Sequence, residues 1–160
     1  MGRIAAHRGD SKRSRALNEE SLRLSREIDI QREAAQSLNG LGNVARLGQA
    51  YPSALEHHRR ALEVVNSLGD QRGVAETLNF LAAASAGARL DTRAATIFGA
   101  AAALFETVRI APCPADHDLC RYSGCIARLR ASLGDGAFEE AWRHGRALSV
   151  DAVVRFALQD

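Results

Sequence analysis

A chain of 160 residues with 46% hydrophobic residues can bury a core as one domain. Only 5% of residues are aromatic and only three are proline, so the apolar share is mostly alanine, leucine and valine, which disfavours a sheet. A formal charge of +2 supplies no drive toward nucleic acid or membrane, and the longest apolar stretch, Ala94 to Leu104, is too short to span a bilayer.

A spacing of forty residues recurs along the chain. Gly2 maps to Gly42, Leu22 to Leu62, Gln31-Arg32 to Gln71-Arg72, and Leu38-Asn39 to Leu78-Asn79. Ala54 and Ala61 map to Ala94 and Ala101. A sustained internal period of this length marks stacked helix-pair units. The predicted organisation is repeats over 1–111, in units 1–30, 31–70 and 71–111 with the first truncated, then capping helices over 112–160.

In the middle unit, Ala34 to Leu47 carries a helical stripe at Ala34, Leu38, Leu41 and Ala45. A turn from Gly48 to Tyr51 leads to Pro52 and a second helix from Ser53 to Leu68, with Ala54, Leu55, His58, Ala61, Leu62 and Val65 on one side. Gly69-Asp70 stops that helix and starts the next. The third unit repeats the plan from Val74 to Ala86, with a break near Gly87 to Asp91 and a helix from Thr92 to Val108. Gly42, Ala82, Ala54 and Ala94 keep the paired helices close, since a longer side chain there overpacks the seam. His58 takes the core slot that Phe98 fills one unit later. After Pro112 and Pro114, helices are predicted over Ala115 to Leu133, Gly136 to Leu148, and beyond an N-cap at Ser149.

Leu38-x-x-Leu41-Gly42-x-x-Ala45, with Ala54 and Ala61, resembles the tetratricopeptide repeat in its longer-period variety, although Ala45 and Ser85 stand where tyrosine is usual. The resemblance implies an all-α, antiparallel helix-pair α-solenoid that binds proteins or peptides along a concave groove lined by the first helix of each unit. Carried onto this chain, it implies a partner-binding row of Gln36, Asn39, Asn43, Arg46, Glu76 and Asn79, continued by Arg3 and His7. Asn39 and Asn43 lie four apart on one helix face, and a side-chain amide can both donate to and accept from a peptide backbone. The alternative is that these are solvated groove residues without a ligand.

Ala94-Ala95-x-x-Phe98-Gly99-Ala100-Ala101 and the run Ala141-Trp142-x-x-Gly145-Arg146-Ala147-Leu148-Ser149 resemble the C-terminal end of large bacterial regulators. Those proteins join a signal-transduction ATPase to a tetratricopeptide sensor arm, many with a LuxR-type DNA-binding domain. The resemblance implies a regulatory arm without the catalytic or DNA-binding modules. Met1-Gly2 aligns with Leu41-Gly42, inside a first helix. The chain is therefore expected to be a fragment of a longer protein, or an independent product that covers its truncated first unit by forming a homodimer.

No phosphate-binding loop, H-E-x-x-H or C-x-x-C occurs, and neither an enzyme nor a cofactor is expected. Cys113, His117, Cys120 and Cys125 fit no standard zinc spacing and read as packed thiols. Three cysteines without a leader point to a reducing cytoplasm. Glu140 and His144 read as a solvated helix pair, and Gly134-Asp135-Gly136 as a turn. Arg3, Arg8, Lys12, Arg13 and Arg15 make a basic end without interleaved aromatic residues, so direct nucleic-acid binding is not expected. The reading that competes with a binding module is a structural self-assembly unit with no separate ligand.

Overall fold

A computed structural model describes residues 11–109 and 122–159. Every regular element among them is helical: α1 Ser11–Glu27, α2 Gln31–Leu47, α3 Tyr51–Ser67, α4 Gln71–Gly87, α5 Asp91–Thr107, α6 Tyr122–Leu133, α7 Asp135–Ala147 and α8 Val150–Leu158. The first five have 17 residues each and start at residues 11, 31, 51, 71 and 91, so the forty-residue period divides into two equal halves. Each is about 25 Å long.

One turn geometry joins them. Asp29, Gln49, Gly69 and Arg89 all adopt positive φ, between 52° and 65°. In each turn the following N–H reaches back to the carbonyl five residues earlier, as in Ala50 N–H to Ala45 O at 2.9 Å and Leu90 N–H to Ser85 O at 3.0 Å. This is the Schellman stop, which satisfies the carbonyls a helix leaves open. Of the two glycines expected to break the second and fourth helices, neither takes the left-handed position. Gly48 has φ −81°, and Gly87 belongs to α4, where a Cβ would collide with the Tyr51 ring. Pro52 sits in the first turn of α3, and Asp70 caps α4 by accepting from Gly73 N–H at 3.0 Å.

Consecutive helices pack along their length, which makes a two-layer α-solenoid. The layer formed by α2 and α4 is the tighter one: those helices meet directly, while α3 and α5 have no comparable contact. Layers spaced that way curve with α2 and α4 on the inside. Ala54, Ala61, Ala94 and Ala101 are fully buried, so the seams have no room for anything larger. A Cβ on Gly42 would run into the His58 ring.

The C-terminal helices form a cap. Along α5 lies α7, brought close by a glycine on each helix: Gly99 lies against the Trp142 carbonyl and Gly145 against the Thr96 carbonyl. Arg146 clamps Glu106 with two bonds of 2.8 Å. Leu129 anchors α6, and its Arg128 donates to the Ala86 carbonyl at 2.7 Å and pairs with Asp91 at 3.2 Å. Ser149 caps α8 through the Ala152 N–H, as expected. That helix buries Val153, Val154 and Ala157 and touches α3 and α5. Gly134, with φ 78°, makes the turn into α7. No helix among the described residues is long and apolar enough to cross a membrane.

Candidate functional site on the inner helices

Positions 36, 39, 43 and 46 recur at steps of three and four, so α2 sets one row along one face. Gln36 is exposed, Asn39 and Arg46 are half-buried, and Asn43 is buried. On α4 the row holds Glu76, half-buried and paired with Arg72 at 2.9 Å, and then Asn79, 2% exposed. Past Asn79 it continues as Ala83 and Ala86, both buried, toward the point where Arg128 of α6 binds the Ala86 carbonyl. The polar part of the row thus spans α2 and the first half of α4. Arg3 and His7 lie outside the described residues.

The three asparagines differ. Asn39 Nδ2 donates to Thr77 Oγ1 at 2.8 Å, and Asn39 Oδ1 lies 2.9 Å from His58 Nδ1. Because the oxygen must accept, Nδ1 carries the imidazole proton. Asn39 therefore bridges α2, α3 and α4. Asn43 and Asn79 instead keep buried side-chain oxygens with no hydrogen-bond partner. The forty-residue equivalence explains Asn79: the slot filled by His58 in its own unit is Phe98 in the next, which has no ring N–H to offer.

His58 is fully buried, as its slot required, and stacks on Phe80 with centroids 5.8 Å apart. Burial first, then the neighbouring Arg46 and His57 charges, push its pKa down to about 3, so the ring is neutral. Its hydrogen-bonding role, and Thr77 altogether, escaped the sequence reading. The available signal was periodic: Thr77 is the equivalent of Ser37, whose hydroxyl also bonds across a helix seam, to Ser21 Oγ at 2.8 Å.

The other candidates stay apart from this row. Glu140 and His144 are both exposed. Cys125 is half-buried, while Cys113, His117 and Cys120 lie outside the described residues. Among the described residues no three His, Cys, Asp or Glu side chains gather as metal ligands.

No curated protein and no solved structure matches the chain. A family model described as tetratricopeptide repeat matches residues 1–65, a span that takes in α1, α2 and most of α3.

Proposed function

We propose that the chain is a protein- or peptide-binding repeat module whose ligand lies along the inner faces of α2 and α4. Helix-pair solenoids of this kind use their concave surface for binding. The observation that carries the reading is the pair of unpartnered amide oxygens on Asn43 and Asn79. A buried acceptor without a partner is costly, and a peptide N–H supplies one once the flanking side chains move apart, since both oxygens are covered in the free chain. Gln36, Arg46 and Glu76 flank them, and Arg3 and His7, outside the described residues, are assigned to the row from the sequence alone. In this reading the chain is the sensor arm, or a stand-alone relative, of a cytoplasmic bacterial transcriptional regulator, with residues 1–111 as repeats and 112–160 as the cap.

The test is selection from a random peptide library on the immobilised chain, then affinity measurement with Asn43→Ala, Asn79→Ala and the outer-face control Glu63→Ala. Inner-face variants are expected to bind about tenfold more weakly or worse, the scale of one or two lost hydrogen bonds. Equal affinity for all variants rejects the groove. Self-assembly as a homodimer is the second reading, favoured by exposed Leu24, Ile28 and Ile30 at the end of α1. A strict monomer by light scattering at high concentration removes it.

A further inference from the structure

The outer helices α1, α3 and α5 present equivalent residues inward every forty positions, and their chemistry changes steadily along the array. Where α5 has Ala94, Phe98, Ala101 and Phe105, α3 has Ala54, His58, Ala61 and Val65. At the same four positions α1 has Ser14, Asn18, Ser21 and Ser25. The residues that α1 buries are Ser14, Asn18 and Ser25, none of them apolar, while α5 buries Ile97, Phe98, Leu104 and Phe105 among others. Opposite them α2 is small and polar at two positions: Ser37 meets Ser21, and a Cβ on Gly40 would strike Asn18, beside the buried Leu41 and Val44.

The bonds on α1 point the same way. Asn18 donates to the Ser14 carbonyl of its own helix at 2.8 Å. Arg23 pairs with Glu20 and Glu27, also within α1. Little apolar burial docks it: Leu22 packs half-buried against the core, while Leu24 is 44% exposed and Ile28, just past the helix, 65% exposed. Hydrophobic burial is the main force between stacked repeats, and a hydroxyl pair that replaces an apolar contact recovers little of it.

We propose that α1 is an opening element: it separates from α2 as a unit while α2 to α5 and α7 stay folded, and it uncovers the face of α2 that carries Ser37, Gly40, Leu41 and Val44. Repeat arrays open at weakly coupled seams because each unit is held only by its neighbours. The weak joint here is the polar seam.

Native-state hydrogen exchange on the 160-residue chain, read by mass spectrometry, tests this. Amides in α1 are expected to exchange at least about a hundredfold faster than those in α4 and α5. A variant carrying Ser14→Ala, Ser21→Ala and Ser25→Val takes the residues of α3. It is expected to slow α1 by about tenfold or more and leave α4 and α5 unchanged, which also shows that the variant is folded. Two results overturn the proposal: exchange in α1 as slow as in α4, or fast exchange in α1 that the three substitutions do not slow.

Discussion

His58 donates its Nδ1–H to Asn39 Oδ1 across the seam between α3 and α2, and Asn39 passes its own N–H on to Thr77 of α4. Three helices of two successive units are thus joined by one amide. Removing that amide leaves a buried N–H without a partner. Asn39→Ala is expected to destabilise the chain by about 1–3 kcal/mol in urea unfolding, the cost of an orphaned buried donor. Asn79→Ala is expected to cost less than Asn39→Ala, because its oxygen has no partner to lose. Equal costs contradict the bridging role.

The same imidazole makes stability depend on pH. Its folded pKa of about 3 lies below the ordinary 6.5, so below pH 6.5 the unfolded chain takes up a proton that the folded chain refuses. Stability contributed by neutral His58 is complete above pH 6.5 and falls as pH drops toward 3, by up to about 1.4 kcal/mol per pH unit. Urea unfolding at pH 7, 6 and 5 should show this slope in the wild type and a shallower one in His58→Phe, which copies Phe98. Parallel slopes would mean that His58 binds a proton in the fold as readily as in the unfolded chain.

The left-handed turn position is glycine only at Gly69, and Asp29, Gln49 and Arg89 hold it with a Cβ. That conformation strains a non-glycine residue by about 1–2 kcal/mol. Gln49→Gly and Arg89→Gly are each expected to raise stability by about 0.5–1 kcal/mol, and Gly69→Ala to lower it by about 1 kcal/mol. No atom lies within 4 Å of a Cβ on Gly69, so the loss there reports backbone strain alone. Thermal unfolding of the three variants reads the signs directly.

The cap depends on the crossing of α5 and α7. A Cβ on Gly145 would overlap the Thr96 carbonyl, which is backbone and cannot swing aside. Gly145→Ala is expected to destabilise the chain by about 1–3 kcal/mol and to separate α7 from α5. Trp142 packs on Phe138 at 5.6 Å between centroids, so its fluorescence follows the displacement. Wild-type emission and stability in this variant would contradict the close crossing.

Much of this architecture is legible in the sequence because the same stripe of small and aliphatic residues returns every forty positions. Ala54, Ala61, Ala94, Ala101 and the His58 slot are buried as that pattern requires. Helix starts were less legible. Helices expected from Ala34, Ser53 and Val74 begin at Gln31, Tyr51 and Gln71. Ile30 and Ala50 stand at the N-caps of α2 and α3 without a capping side chain, so no polar residue marks those entries, whereas Asp70 does cap α4. Glycine misled at Gly48 and Gly87, since the repeating turn places its left-handed residue by spacing from the helix and not by residue type. The row from Gln36 to Arg46 could be read as one face. That Asn39 would be taken up by residues 19 and 38 positions away could not, because the contact depends on the lateral spacing of α2, α3 and α4.

The most direct test of inner-face binding is a titration of the ¹⁵N-labelled chain with a library-selected peptide, followed by two-dimensional NMR. Binding between α2 and α4 predicts shifts confined to those helices, with the side-chain amide signals of Asn43 and Asn79 among the largest. Shifts that gather on α3, α5 or α7 while those two amides stay still would contradict it.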